Sequence, residues 1–148
     1  MSTIAKDSDS MGMTHTFEEG LLEKFNKFRL SNAPSAAMVL GINAETQCVH
    51  LLKQLDDVSY DDLIEEFPDA EPRFVIHSFR WERGDGRIQY PLILIYYSPY
   101  SVPAKQAMLY ASAQGTITRY FKLNKTVELK DPEDLSLDWL KSQLSTLR

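Results

Sequence analysis

The stretch from Arg73 to Ser98 constrains the fold of this chain more than any other. Two runs rich in β-branched and aromatic residues flank Gly84-Asp85-Gly86, and this pattern predicts a β-hairpin because glycine reaches the positive φ angles of a tight turn. The second run, from Tyr90 to Tyr97, is almost continuously apolar, which indicates a strand covered on both faces. We therefore predict a central sheet between helices, with a bulge or a free edge at Pro91, which has no N–H for the ladder.

The turn of this hairpin carries several charged side chains, which are too polar to pack in a core. We expect them to project into water or onto a binding partner; they are Arg80, Glu82, Arg83, Asp85 and Arg87. A charged tip of this kind is a surface feature, and it suits a protein-binding module better than an enzyme.

The chain of 148 residues is long enough for one domain with its own core. We predict that domain over residues 15–148, after a flexible tail at residues 1–14. The net charge of -5 argues against binding to nucleic acid, which depends on neutralising phosphates. The single cysteine, Cys48, excludes an internal disulfide framework. Because no apolar run approaches membrane-spanning length, the sequence predicts a cytoplasmic protein that does not bind membranes. We also expect it to be a monomer.

The first helix is predicted to begin at Thr16, which has Glu19 three residues later in the pattern of a capping box. Apolar residues follow at helical spacing and form one stripe: Phe17, Leu21, Phe25 and Phe28. Basic residues, among them Lys27 and Arg29, close the helix, where the helix dipole favours positive charge.

Periodic segments continue along the rest of the chain. Ser59 caps a short helix, Pro103 begins a long helix and Ser136 caps the last one. The long helix shows a wide face of apolar and small residues: Met108, Leu109, Ala111, Ser112, Ala113, Ile117 and Phe121. Further strand patterns cover residues 36–42 and 47–52, which a turn at residues 43–46 joins as a second hairpin, and residues 125–130. This order of elements predicts an α/β or α+β fold in which a mixed sheet lies between helices on both faces.

Residues that could support catalysis are few and scattered. The three histidines lack the spacing of a metal site, so we predict no metal and no cofactor. Cys48 and His50 lie two positions apart on one predicted strand, and a thiol enzyme that uses this pair is a distant alternative. A packed thiol beside a half-buried imidazole explains the same two residues without any chemistry. We therefore predict a protein without enzymatic activity.

Several motifs, in order along the chain, resemble those of one known family. The segment Met108-Leu109-Tyr110-Ala111-Ser112 resembles the long helix of the actin-depolymerising-factor/cofilin domain. Other motifs resemble the glia maturation factor branch of that family more specifically: Pro72-Arg73-Phe74, Asp85-Gly86-Arg87, Tyr90-Pro91-Leu92, Glu133-Asp134-Leu135 and Trp139-Leu140. The resemblance spans Phe17 to Leu144, and it implies a five-stranded mixed sheet between helices.

The resemblance also implies a function. Members of this branch bind the actin-related-protein nucleation complex, inhibit nucleation by it and release daughter filaments at branch junctions, without hydrolysing a substrate. They bind ordinary actin weakly or not at all. By resemblance we expect a non-enzymatic regulator of branched actin in the cytoplasm, at cortical actin structures, with the nucleus as a further location.

Two residues of the long helix favour this branch over conventional cofilins. Where cofilins carry two lysines one residue apart for binding filaments, this chain has Thr118 and Tyr120. The loss of a basic pair weakens an electrostatic contact with an acidic filament. Lys122 and Lys125 lie nearby and could replace that charge, so a conventional cofilin that binds actin and severs filaments is the main alternative.

The resemblance implies two partner-binding surfaces. One lies on the long helix, which would enter a cleft on an actin-related subunit; its residues are Lys105, Gln106, Met108, Leu109, Ser112 and Arg119. The other combines the hairpin tip with the first and last helices; its residues are Arg83, Asp85, Arg87, Lys27, Arg29, Asp138 and Lys141. This chain has Asn26 where the branch usually has a basic residue, so Lys27 and Arg29 must supply the charge there.

Overall fold

Within residues 4–5 and 15–146, which the computed structural model describes, a seven-stranded sheet lies between four helices. The strands are β1 (Ile4–Ala5), β2 (Thr16–Glu18), β3 (Ser35–Ile42), β4 (Cys48–Leu55), β5 (Arg73–Phe79), β6 (Trp81–Glu82), β7 (Ile88–Gln89), β8 (Leu92–Tyr97) and β9 (Thr126–Leu129). The helices are α1 (Leu21–Arg29), α2 (Tyr60–Ile64), α3 (Ala104–Phe121) and α4 (Leu137–Thr146), with a short 3-10 turn at Pro132–Asp134.

The strands of the main sheet follow the order β1-β2-β4-β3-β5-β8-β9. The centre of the sheet is antiparallel, because β3 pairs with β4 and β5, and β5 pairs with β8. Parallel pairs flank it, β9 with β8 on one side and β2 with β4 on the other. Strands β3, β4, β5, β8 and β9 form the mixed sheet that the resemblance implied, and the short strands β1 and β2 extend it beyond β4.

Both faces of the sheet are buried. Successive residues of a central strand point to opposite sides, as in β5, where Phe74 and Ile76 join one core and Val75 and Phe79 join the other. Helices α1 and α3 cover the first core, and α2 and α4 cover the second. The predicted sheet between helices is therefore confirmed. Strand β8 is covered on both faces, as its continuous apolar sequence indicated.

The predicted hairpin is also confirmed, since β5 and β8 pair antiparallel along their length. At its tip, β6 and β7 pair as a separate two-stranded sheet. Gly86 has a φ of 90°, the left-handed value that the turn requires. Pro91 lies between β7 and β8, where no ladder bond needs the N–H that proline lacks.

The predicted start of the first helix is wrong. Thr16–Glu18 forms β2, parallel to β4, and α1 begins only at Leu21, after Gly20 with a φ of 85°. Phe17 on β2 is fully buried beneath α3, and this tertiary contact holds the backbone as a strand against the local capping signal. The rest of the predicted stripe is buried on α1 as expected: Leu21, Phe25 and Phe28.

The other two predicted helix caps are confirmed. Ser59 Oγ accepts a hydrogen bond from the Asp62 N–H at the start of α2, over 3.1 Å. Ser136 Oγ accepts one from the Trp139 N–H at the start of α4, over 3.0 Å. These caps depend on neighbours within one helical turn, which explains why the sequence alone predicts them.

The tail predicted at residues 1–14 lies outside the described residues, except for the short strand β1. This strand pairs antiparallel with β2, with Ala5 opposite Phe17. None of the described helices combines the length and the apolar character that crossing a membrane requires.

Candidate partner-binding surface

Helix α3 carries an exposed stripe along one side. Lys105, Met108, Ser112 and Arg119 recur at intervals that place them on one face of a helix, and all four are exposed. The Met108 side chain is 72% exposed, so an apolar side chain stands open to a partner. The opposite side of the helix packs into the first core through Ala113, Ile117 and Phe121.

The single wide apolar face predicted for this helix is therefore wrong. Of the residues assigned to it, Met108, Ala111 and Ser112 are exposed, and Leu109 is half-buried against the core. Helical geometry explains the division, because Ala113 follows Met108 by five residues and so points to the far side of the helix at about 100° per residue. The exposed half remains available for binding.

A groove of about 640 Å³ separates the first half of α3 from the turn between β3 and β4. One wall consists of residues predicted as binding residues: Lys105, Gln106, Met108, Leu109 and Ser112. The facing wall is formed by Ala44, Glu45 and Gln47. The structure thus brings together all but one of the predicted residues of α3. The remaining residue, Arg119, lies two turns beyond Ser112 on the same face, about 10 Å along the helix axis.

The turn between β3 and β4 has a defined shape beside this groove. Asn43 Oδ1 accepts hydrogen bonds from the N–H groups of Glu45 (2.8 Å) and Thr46 (3.0 Å). Gln47 has a φ of 60°, a left-handed conformation that is unfavourable for a residue with a side chain. The sequence predicts the turn but not its place in the groove, because a contact between distant parts of the chain leaves no local signal.

Met108 also borders a second groove on the other side of α3. This groove of about 480 Å³ lies between the helix and the end of the sheet, and its lining includes Tyr96, Tyr100 and Lys130. Tyr100 is 85% exposed, and Lys130 Nζ lies 5.2 Å from the centre of its ring. Met108 therefore forms a ridge between two grooves, which is a shape suited to insertion into a cleft.

The charged residues of the hairpin tip fall into two groups. Arg87 Nε donates a hydrogen bond to Asp85 Oδ2 over 2.7 Å, so these two predicted binding residues form an ion pair. The Arg83 guanidinium instead lies 4.0 Å from the centre of the Trp81 ring, and Lys141 on α4 approaches the same ring at 5.9 Å. Trp81 thus connects the hairpin to α4. The sequence alone does not predict this role, although an aromatic residue in a charged hairpin tip is a signal for it.

The sheet separates the other residues of the second predicted surface. Lys27 and Arg29 are exposed at the end of α1, which covers one face of the sheet. Asp138 and Lys141 lie on α4, which covers the opposite face. The structure therefore brings α4 and the hairpin together. The end of α1 belongs to the other face of the sheet, but the segment that follows it reaches the base of the hairpin, where the Arg80 N–H donates a hydrogen bond to the Pro34 carbonyl oxygen over 2.9 Å.

Cys48 and His50 lack the features of a catalytic pair. Burial raises the pKa of the Cys48 thiol, which disfavours the thiolate that a nucleophile requires. His50 Nδ1 lies 3.3 Å from the Cys48 carbonyl oxygen, so its ring contacts the backbone instead of activating the sulfur. In the part of the chain that the structure describes, no group of three or more His, Cys, Asp or Glu side chains could hold a metal ion.

The positions at which cofilins carry lysines are occupied by two uncharged side chains on α3. The Thr118 hydroxyl donates a hydrogen bond to the Gly115 carbonyl oxygen over 2.9 Å. The Tyr120 ring stacks on Phe17 of β2, with the ring centres 3.6 Å apart and the ring planes 2° apart. Neither side chain provides positive charge, and Tyr120 is held against the core.

Comparison with known proteins identifies the family. The family model of cofilin/tropomyosin-type actin-binding proteins matches residues 15–145. The chain belongs to the actin-depolymerising-factor/cofilin family. It is 35% identical to glia maturation factor beta of Homo sapiens over 127 residues, which cover 85% of this chain and 89% of that protein. It is 34% identical to glia maturation factor of Drosophila melanogaster over 125 residues, which cover 84% and 91% of the two chains.

A solved structure of the same branch supports this assignment. The solution structure of glia maturation factor from Caenorhabditis elegans superimposes with a TM-score of 0.75 at 30% sequence identity, and the match covers 93% of this chain and 99% of that one. The resemblance to the glia maturation factor branch is thereby confirmed. So is the predicted fold, a mixed sheet between helices in the arrangement of the family.

Proposed function

We propose that this protein is a non-enzymatic regulator of branched actin that binds the actin-related-protein nucleation complex. It inhibits nucleation by that complex and promotes the release of branches, while it binds ordinary actin weakly or not at all. Membership of a family of actin-binding proteins and similarity to glia maturation factors support a role in actin regulation. The proposed place of action is the cytoplasm, at cortical branched actin.

The stacking of Tyr120 on Phe17 is the observation that most favours binding to branched actin over binding to unbranched filaments. A lysine at that position would present its charge to a filament, whereas Tyr120 is half-buried and fixed against the core. Thr118 adds no charge, and its hydroxyl is bonded to its own helix. An acidic filament therefore meets uncharged side chains at positions 118 and 120, which supports weak binding to unbranched filaments.

The exposed ridge of α3 is the proposed contact with an actin-related subunit. Met108 would enter the cleft, with Lys105 and Ser112 on the same face and the two grooves receiving the walls of the cleft. Arg119 continues the contact along the helix. The hairpin tip, α4 and the end of α1 form the proposed second contact, in which Asp85 and Arg87 take part as an exposed ion pair on the tip.

Two assays on the same protein test this function. In co-sedimentation, the protein is expected to stay in solution with unbranched filaments at micromolar concentration. In filament imaging, the same protein in the same buffer is expected to shorten the lifetime of branch junctions. Protein that pellets with unbranched filaments and severs them would instead be a conventional cofilin.

A pair of matched variants connects the activity to α3. Met108→Glu places a charge on the exposed ridge, and it should lengthen branch lifetimes towards those without protein. Leu22→Glu makes the same change at an exposed residue of α1 outside both proposed surfaces, and it should debranch like wild type. If both variants debranch equally well, the ridge of α3 is not the contact.

A further inference from the structure

A groove of about 450 Å³ lies beneath the hairpin tip, between β6, β7 and the end of α4. Its lining includes two aromatic side chains, two apolar ones and two basic ones: Trp81, Tyr90, Pro91, Leu144, Arg83 and Lys125. Lys141 on α4 adds a third basic group at the Trp81 wall. The groove therefore combines apolar surface with positive charge, in a protein whose net charge is -5.

The basic side chains around this groove lack acidic partners. Five Lys or Arg side chains among the described residues are half-buried: Arg73, Arg83, Lys125, Lys130 and Lys141. Arg73 pairs with Glu71 at 3.0 Å, and Lys130 pairs with Glu128 at 3.3 Å. The other three form no ion pair within the described part of the chain. Arg83 and Lys125 line the groove, and Lys141 lies beside it at the Trp81 wall.

The exposed bases of the same hairpin show the opposite arrangement. Arg80 pairs with Glu82 at 3.6 Å, and Arg87 pairs with Asp85 at 2.7 Å, although both arginines are exposed to water. A half-buried cation loses more hydration than an exposed one, so it gains more from a carboxylate partner. The groove thus has its unpaired charges where a negatively charged ligand would gain most.

We infer that this groove binds an acidic peptide segment of a partner protein. Its three cations come from three separate parts of the chain, the hairpin (Arg83), the segment before β9 (Lys125) and α4 (Lys141), so they suit carboxylates spaced along an extended peptide. The rings of Trp81 and Tyr90 offer apolar contacts that a bare phosphate cannot use. The inference rests on the hairpin being part of the partner-binding surface proposed above, and it adds the chemistry of the ligand.

Trp81 acts in this site as a positioning residue. Its ring holds the Arg83 guanidinium at 4.0 Å, and a guanidinium stacked on an aromatic face keeps its N–H groups free for a carboxylate. The same ring lies 5.9 Å from Lys141 Nζ, so one aromatic side chain lies close to two of the three cations. Loss of the ring should therefore weaken binding through the basic residues.

The experiment measures binding of a short labelled peptide, in which glutamate alternates with leucine, to the full chain by fluorescence anisotropy. A matched peptide with glutamine in place of glutamate is the control ligand. The glutamate peptide is expected to bind, and its affinity should fall as salt is raised from low to physiological concentration, since charges that remain in contact with water are screened over about 8 Å there. The glutamine peptide should bind much more weakly.

Variants then locate the site. Arg83→Gln, Lys125→Gln and Lys141→Gln should each weaken binding of the glutamate peptide by up to about fivefold. Lys53→Gln removes the same charge from β4 and should bind like wild type. Trp81→Leu should weaken binding and Trp81→Phe should largely restore it, because phenylalanine keeps an aromatic face for Arg83. Circular dichroism reports whether the Trp81 variants fold, and the three glutamine variants test the site without them.

Three results would overturn the inference: equal binding of the two peptides, unchanged affinity in the three glutamine variants, or binding of anionic lipid vesicles through these bases without binding of the peptide. Its failure is distinct from failure of the proposed function. A wild-type protein that shortens branch lifetimes but does not bind the peptide overturns the inference alone. One that binds the peptide but leaves branches intact overturns the proposed function alone.

Discussion

His77 is completely buried, and both nitrogens of its ring are used. The Ala36 carbonyl oxygen lies 2.8 Å from Nδ1 and can only accept a hydrogen bond, so Nδ1 carries the proton. Nε2 is then an acceptor, and the Tyr60 hydroxyl donates to it over 2.8 Å. This arrangement ties α2 to β5 and requires a neutral imidazole.

The buried imidazole predicts a pH dependence of stability. Burial lowers the pKa of His77 from 6.5 to about 4. Between these values the unfolded chain binds a proton that the folded protein does not, so the free energy of unfolding is expected to fall as pH decreases from 6.5 towards 4. Urea denaturation at several pH values in this window gives the free energy of unfolding at each pH. This free energy should change less steeply with pH in His77→Gln than in wild type. Burial also lowers the pKa of His15, whose contribution stays in both proteins, and equal slopes would contradict the prediction.

A lysine at position 118 should raise binding to filaments, whereas a lysine at position 120 should destabilise the fold. Thr118→Lys adds positive charge on a half-buried position of α3, and it should raise filament binding by about 1 kcal/mol at most, without loss of debranching. Tyr120→Lys removes the stack on Phe17 and should lower the free energy of unfolding by about 2 kcal/mol. Co-sedimentation and urea denaturation measure the two effects. Filament binding unchanged by Thr118→Lys would mean that this position does not face a filament.

At the level of elements, the sequence predicts structure well where neighbouring residues determine it. The hairpin, the caps at Ser59 and Ser136 and the continuous burial of β8 all follow from local patterns. The start of α1 does not, because burial of Phe17 against α3 outweighs the capping signal at Thr16. The periodicity of apolar residues correctly predicts the long helix. It does not predict which of these residues are buried, because Met108 and Ala111 belong to the pattern but are exposed.

The candidate site was less predictable than the fold, because it depends on contacts between distant parts of the chain. The resemblance supplied the residues of α3, and the structure places all but Arg119 on one groove. The facing wall at Glu45 and Gln47 comes from a turn far away in the chain, so no local pattern indicates it. Trp81 likewise gains its role only when Lys141 of α4 packs beside it. Contacts of this kind depend on the tertiary fold, which a single sequence does not report.

The end of α1 gives a prediction that depends on salt. Lys27 and Arg29 are exposed in its last turn, so their proposed contact with the nucleation complex is electrostatic and open to solvent. Changing both to Glu should weaken binding to the complex strongly at low salt and less at high salt, where screening acts over shorter distances. Binding measured across a salt series tests this expectation.

A control is required because the same two charges stabilise α1 itself. Basic residues in the last turn complement the helix dipole, and their reversal should cost a few tenths of a kcal/mol of stability. Circular dichroism of the variant at each salt concentration separates this effect from binding. An affinity loss of the same size at every salt concentration would indicate a packing defect instead of a lost electrostatic contact.

Over the whole molecule, the Met108 ridge and the hairpin tip lie at opposite ends of β8. The hairpin tip precedes the first residue of this strand, and α3 begins after its last one. Six residues of strand span about 20 Å, so the Met108 ridge and the hairpin tip are well separated. Helix α3 then runs back along the sheet and brings Arg119 towards the hairpin end.

This separation predicts additive losses of binding. Met108→Ala shortens the side chain on the ridge, and Asp85→Ala with Arg87→Ala removes two charged side chains from the tip. All three side chains are exposed, so the melting temperatures of the variants should stay close to that of wild type. Because the two sites lie farther apart than coupled residues usually do, the combined variant should lose the sum of the two binding free energies to within about 0.5 kcal/mol. Titration of the nucleation complex with each labelled variant measures these losses. If the combined variant binds no more weakly than the weaker of its two parents, then one of the two surfaces does not touch the complex, and binding rests on the other alone.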